Sequence, residues 1–284
     1  MTKTLYITDL DGTLLQNDAR LSAKTTAALQ RFRKAGVAFT AATARTAATV
    51  RHILGEAPPT VPAILMTGAC LYDVETRTYD NVRVIPPASR KALVETLAKY
   101  GLDGFFYTIE NGHLSTYYER AETPAALAFM RERIERYGKV FTKIDCAEKL
   151  AALPLVCYSV GAPEDKVTPA AAALRLDDAV SVGYYRDTYL KDTFYLEVYE
   201  KGATKYHAAK ALRERYGFDR VVGFGDNLND LPLFDACDVC VAVSNAAPAV
   251  LQRADFVAGS NTEDGVVRWI EEDCARTGIF PALD

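Results

Sequence analysis

No apolar run in this chain approaches the roughly 18 uncharged residues that a membrane-spanning helix requires. Its first residues, MTKTLYITDLDGT, hold no apolar stretch of signal-peptide length. Both absences lead to the expectation of a cytoplasmic protein with no membrane role. Cysteine is scarce: six scattered residues in 284 do not make a disulfide framework and read as reduced, mostly buried thiols. Cys237 and Cys240 form a C-x-x-C, but no second pair accompanies them, and VCVAV reads as a core strand. Histidine is scarcer still, and His52, His113 and His207 stand apart from one another, which gives zinc no cluster. Positive charge is not in excess either. A formal net charge of −4 supplies no long-range attraction to nucleic acid, so any phosphate recognition is local and a small phosphorylated ligand fits better than a polymer. There is no repeat, low-complexity tract or long linker.

What is present is an ordinary globular composition, 49% hydrophobic and 25% charged, long enough for one large core or two domains. TLYITDL reads as a strand. Ser22 is placed to cap a helix that carries Leu21, Ala28, Leu29 and Phe32 on one side, and Gly36 stops it. VAFTAAT, the helical TAATVRHILG and a third strand AILMTGA continue the alternation, which returns near the C-terminus in RVVGFGD, DVCVAVS and DFVAG. Strands alternating with helices predict βαβ units and a parallel sheet. Between these stretches the texture changes. GFFYTIENGHLSTYYE and VSVGYYRDTYLKDTFYLEVYE read as hairpins, with helices near 123–137 and 165–176 and the strand PLVCYSVG. The prediction is an α/β core over 1–83 and 200–284 with an α+β domain inserted at 84–199. Most aromatics of the insert are expected to pack its core or sheet face.

Ligands of open parallel sheets sit at the carboxyl ends of the strands. There the sequence places Asp9 and Asp11, then Thr43 and Arg45, then Thr67 and Gly68, then Asp226 with Asn229 and Asp230. Buried charge is costly unless paired, metal-bound or used in chemistry. Asp9 and Asp226 suit a Mg²⁺ ion, which needs only one or two carboxylates besides water and phosphate, and Asp230 is placed to support it. An aspartate is also a nucleophile toward phosphorus. Asp9 would then attack, Thr43 and Lys205 would meet the phosphoryl charge, and Asp11 would move the proton. Thr43 is equally an N-cap for the helix that follows. Lys201 competes with Lys205, which is preferred because it starts a helix after Thr204. EKGATKYHAAK is no phosphate-binding P-loop, since no second glycine directly precedes Lys205.

DLDGTLL, TAR after the second strand, TK before a helix and GFGDNLND resemble the four motifs of the haloacid dehalogenase superfamily of aspartate-nucleophile hydrolases. The insert falls between the second and third motifs, while only about 30 residues separate the first two. This arrangement resembles the Cof-type phosphatases with a C2 (IIB) cap. MTGA, LEVYEKGATK, VAVSNA and EDGV extend the likeness over most of the chain. The resemblance implies a Rossmann-like core, Asp9 as nucleophile and Asp11 as general acid and base. It makes Thr43 and Lys205 phosphate binders, and Asp9, Asp226 and the Asp11 carbonyl the Mg²⁺ ligands. It also implies Asp230 as metal support and Arg45 and Asn229 as site lining. Thr67 departs from the asparagine more usual before Gly68 and Ala69, which puts the substrate-facing contact there in question. The expected activity is a Mg²⁺-dependent phosphatase of small phosphorylated metabolites, sugar phosphates first, then nucleotide or cofactor phosphates, with a cap that closes over the substrate. A phosphomutase with the same nucleophile and a non-catalytic phosphometabolite binder are the alternatives. A monomer is the expected state.

Overall fold

The first apolar run becomes β1 (Thr4–Thr8), buried at every position. Ser22 then accepts from the Thr25 N–H and starts α1 (Ala23–Lys34), which buries Thr25, Ala28, Leu29 and Phe32. Gly36, at φ +74°, turns the chain into β2 (Ala38–Ala41) and on to α2 (Ala47–Leu54). These elements belong to a computed structural model that describes residues 2–186 and 192–278. The expected third strand is shorter and differently used. β3 (Ala63–Leu65) joins the parallel layer through one bridge, Ile64 to Ala42, and otherwise pairs antiparallel with β4 (Cys70–Asp73), which leads to β5 (Thr78–Asp80). Met66, Thr67 and Gly68 all take positive φ, and this turn ends the strand that the apolar pattern would have continued.

The chain then builds α3 (Pro87–Tyr100), β6 (Phe105–Glu110), β7 (His113–Tyr118), α4 (Pro124–Tyr137), β8 (Thr142–Lys143), β9 (Leu155–Ala162), α5 (Glu164–Leu174), β10 (Val180–Arg186) and β11 (Phe194–Glu200). Asn111 and Gly112, both at positive φ, make the tight β6–β7 turn that Asn-Gly favours. Strands β10 and β11 pair antiparallel, as the aromatic alternation predicts; the tip of that hairpin, residues 187–191, lies outside the described residues. The strands form one sheet in the order β10-β11-β9-β6-β7-β8. Its core joins Phe106, Tyr158, Val160, Leu196 and Val198 with Leu93 and Leu97 of α3 and Val167 and Ala171 of α5.

The last stretch returns to alternation with α6 (Lys205–Tyr216), β12 (Arg220–Gly225), α7 (Leu231–Phe234), β13 (Val239–Val243), α8 (Pro248–Arg253), β14 (Phe256–Ala258) and α9 (Gly265–Arg276). Contacts divide the chain into two units, Met1–Thr78 with Thr204–Asp284, and Tyr79–Ala203. In the first unit the sheet order is β14-β13-β12-β1-β2, all parallel. From β1 the chain moves outward to β2 on one side, while β12 and its successors fill the other. Strand order therefore reverses between β1 and β12, where α/β sheets open a crevice for ligands. No helix of the described residues is long and apolar enough to cross a membrane.

Candidate active site

Thr8 lies beside Phe224 in the register, so the residues that follow β1 and β12 emerge next to one another. The Asp9 N–H donates to the Phe224 carbonyl at 3.0 Å, which holds the aspartate at the edge of the sheet with 5% of its surface exposed. Thr204 caps α6 by accepting from the His207 N–H. Lys205, the first residue of the helix, is thereby turned inward and is 1% exposed. Its Nζ donates to Asp9 Oδ1 at 2.6 Å and to Asp230 Oδ1 at 2.7 Å, whereas Lys201 stays exposed. Burial lowers the Lys205 pKa, yet the two carboxylates outweigh burial and the net movement is upward. Burial pushes Asp9 up to about 8; Lys205 opposes that, and the charges of Asp230 and Asp11 add to it.

Asp230 is wholly buried and fully committed. Besides Lys205, it accepts on Oδ2 from the N–H groups of Asp226 and Asn227 at 3.0 and 3.1 Å. It thus braces the loop that leaves β12 and the lysine at once. Asp226 accepts on Oδ1 from the Thr13 hydroxyl at 3.0 Å, and its pKa rises to about 6 through burial and the Asp230 charge. Carboxylate oxygens of Asp9, Asp226 and Asp230 lie within 4.8 Å of one another. Hard oxygen donors in one cluster fit a divalent cation such as Mg²⁺. With Asp230 engaged on both oxygens, Asp9 and Asp226 are the carboxylates with an oxygen to offer.

The turn after β1 carries the rest. Gly12 sits at φ +75°, and a Cβ there would come within 2.4 Å of Asp226 Oδ2, so the close approach of the two loops requires glycine. Asn245 donates to the Gly12 carbonyl at 2.8 Å and accepts from the Asn261 N–H at 3.0 Å. Asp11 is grasped by the Arg45 fork, Nε to Oδ2 at 2.7 Å and Nη2 to Oδ1 at 2.5 Å. Thr43, 1% exposed, follows the last residues of β2; its N–H donates to Ile64 O, its carbonyl accepts from Thr67 N–H, and its hydroxyl accepts from Arg45 N–H at 3.2 Å. Gly68, at φ +108°, packs where a Cβ would stand 2.3 Å from the Thr204 carbonyl, so the turn after β3 lies directly against the cap of the helix that carries Lys205. Thr67 occupies the left-handed region at φ 62°. That conformation is costly for a β-branched residue and easier for asparagine. Asn229 is exposed on the loop between Asp226 and Asp230.

The sequence-predicted residues of strands β1, β2, β3 and β12 and of α6 therefore converge on one sheet edge. Arg45 is engaged with Asp11, and Thr13 and Asn245 are the supports that sequence reasoning missed. Thr13 lies inside DLDGTLL and Asn245 inside VAVSNA, so position within a motif was the available signal.

A family model for haloacid dehalogenase-like hydrolases matches residues 6–270. The chain belongs to this family. It is a hydrolase of the Cof type, and its relatives are phosphatases. A pyridoxal phosphate phosphatase of Escherichia coli K12, YbhA, is 25% identical over 279 residues, covering 95% of this chain and 98% of that protein. A 5-amino-6-(5-phospho-D-ribitylamino)uracil phosphatase of Bacillus subtilis 168, YitU, is 24% identical, covering 94% of this chain and 96% of that protein. Among solved structures, the HAD subclass IIB sugar phosphatase BT4131 superposes with a TM-score of 0.72 over 98% of this chain and 100% of that one, at 21% identity. That likeness speaks for the fold.

Proposed function

We propose that this hydrolase is a Mg²⁺-dependent phosphatase of small phosphorylated metabolites, with sugar phosphates as the leading class, working through an aspartyl-phosphate on Asp9. One observation carries the reading. A buried lysine pins one oxygen of a strand-end carboxylate, beside a second strand-end carboxylate, at the point where the sheet order reverses. A carboxylate so fixed is a positioned nucleophile, and its neighbours are cations and hydroxyls suited to a phosphoryl group.

In the first displacement an Asp9 oxygen bonds to phosphorus, the bond from phosphorus to the alcohol oxygen breaks, and Asp11 delivers the proton that the leaving alcohol needs. In the second, water bonds to phosphorus, its proton passes to Asp11, and the Asp9–phosphorus bond breaks to return the carboxylate. Lys205 holds Asp9 in line throughout, and Thr43 donates to the phosphoryl oxygens. Arg45 orients Asp11 between the two steps. Asp9 and Asp226 would hold the Mg²⁺ ion, with the Asp11 carbonyl, and Asp230 steadies their geometry through Lys205 and the strand-end loop. When bound, the ion neutralises phosphoryl charge. Relatives that act on pyridoxal phosphate and on a ribitylaminouracil phosphate support a small phosphomonoester as substrate, and a monomer suffices for this chemistry.

The test is phosphate release from a panel of sugar, nucleotide and cofactor phosphates with Mg²⁺ or EDTA, with Asp9→Asn in parallel. Release that needs Mg²⁺ and is lost in the variant is expected. Transfer of the phosphoryl group to a second sugar hydroxyl without release to water would replace the hydrolase with a mutase.

A further inference from the structure

Two asparagines from outside the carboxylate-bearing segments reach the turn that follows β1. Asn245 lies on the loop between β13 and α8, and Asn261 on the short turn between β14 and α9. The Asn245 Nδ2 donates to the Gly12 carbonyl at 2.8 Å, and the Asn261 Nδ2 donates to the Leu15 carbonyl at 2.8 Å. The pair is joined, because Asn245 Oδ1 accepts from the Asn261 N–H at 3.0 Å. Gln16 ties the turn back by donating to the Asn261 carbonyl at 2.9 Å. The turn is thus gripped from outside at two carbonyls. At position 245 the grip needs an amide, which donates on one side and accepts on the other; an ionised carboxylate can only accept.

The chemistry depends on the turn that is gripped. Asp11 (φ −74°, ψ 122°) and Gly12 (φ 75°, ψ −5°) are the central residues of a type II turn. Tying down the Gly12 carbonyl fixes the peptide that leads into Thr13, and so keeps the Thr13 hydroxyl on Asp226 Oδ1 at 3.0 Å. The loop after β13 also holds the other side of the site, since the Ala247 N–H donates to the Asp226 carbonyl at 2.8 Å. One short loop therefore touches both the turn carrying Asp11 and the loop carrying Asp226. These two approach so closely that a Cβ on Gly12 would stand 2.4 Å from Asp226 Oδ2, and a shift of either moves the other.

We infer that Asn245 is a positioning residue: it sets the spacing between the turn that carries Asp9 and Asp11 and the loop that carries Asp226, and through that spacing the affinity of the site for a divalent cation. Its consequence for catalysis rests on the phosphatase reading, whereas its effect on the cation does not. Asn245 is exposed, so water replaces its hydrogen bonds when the side chain is removed and the fold survives. The loss falls on the direction of the turn. Side chains that orient metal ligands contribute about 10–100-fold to metal affinity, and an amide open to water belongs at the lower end of that range.

Mn²⁺ titration of the full chain, followed by the electron paramagnetic resonance signal of the free ion, reads the site without substrate. Asn245→Ala should weaken binding about tenfold with the thermal midpoint nearly unchanged. Asn245→Asp separates position from charge. By charge alone the added anion would tighten Mn²⁺ binding, but a carboxylate cannot donate to the Gly12 carbonyl and repels it, so weaker binding is expected. Gln16→Ala removes a bond of the same network that does not touch Gly12 and should leave Mn²⁺ binding unchanged. Wild-type affinity in Asn245→Ala, tighter binding in Asn245→Asp, or equal losses in Asn245→Ala and Gln16→Ala would each overturn the inference. In the phosphatase assay, the Mg²⁺ concentration for half-maximal release should rise about tenfold in Asn245→Ala. If the wild type releases no phosphate from any substrate, the phosphatase reading fails, and the Mn²⁺ titration still decides the role of Asn245.

Discussion

Two lysines, one in each unit, are buried to a similar degree and hold opposite electrostatic positions. Lys205 is 1% exposed and Lys139 9%. Lys205 sits between the carboxylates of Asp9 and Asp230, which raise its pKa despite burial. Lys139 has aromatic rings in place of carboxylates, its Nζ 4.4 Å from the centroid of Tyr107 and 5.0 Å from that of Phe141. Burial, with some help from Arg133, takes its pKa down to about 7. Burial alone thus decides nothing about a charge. A buried cation stays firmly charged when anions share its site, whereas ring quadrupoles return only part of the lost hydration.

Removing the paired cation should have the largest effect. Lys205→Met leaves the buried carboxylates of Asp9 and Asp230 without their counter-charge, a loss of about 3–5 kcal/mol. Phosphate release should also fall by about 10²–10³; urea unfolding and steady-state assays check the two arms. Asp230→Asn should cost less, about 1–3 kcal/mol, because the amide oxygen can keep accepting from backbone while the charge is lost.

Removing Lys139, which has no carboxylate partner among the described residues, should do the reverse. Lys139→Met is expected to stabilise the protein, raising the thermal midpoint by about 2–4 °C for each kcal/mol gained. The sign of its pH dependence follows from a folded pKa of about 7 against about 10.4 unfolded. In that window the unfolded chain holds the extra proton, so the penalty is complete below pH about 7 and fades toward pH about 10. The advantage of Lys139→Met should fade in parallel, as thermal melts across that range will show. The smallest effect expected involves no charge: Thr67→Asn should stabilise by less than about 1 kcal/mol by relieving a β-branched residue in left-handed backbone, with little change in phosphate release.

The contrast between the lysines also marks where the amino-acid pattern stops being informative. Asp9, Thr43, Asp226 and Lys205 were legible because each stands at the end of an apolar strand or the start of a helix, and parallel topology brings such ends together. Backbone periodicity placed the α1 cap at Ser22 and the Asn111-Gly112 turn for the same local reasons. The β3–β4–β5 ribbon escaped because its strands are three or four residues long, too short for alternation to register. Arg45 looks like any loop arginine until the turn after β1 delivers Asp11 to it. Lys139 was invisible as a buried charge, since its own stretch of sequence does not show which rings from other elements enclose it. Those facts belong to register and packing across strands distant in sequence.

The central claim is a covalent bond between Asp9 and phosphorus. Acid-quenching the enzyme during turnover of a labile phosphate donor with Mg²⁺, followed by peptide mass spectrometry, tests it directly. The account predicts a phosphoryl adduct on the peptide containing Asp9, absent from Asp9→Asn, which should also be inactive. Full turnover by Asp9→Asn, or an adduct carried by another residue, would contradict it.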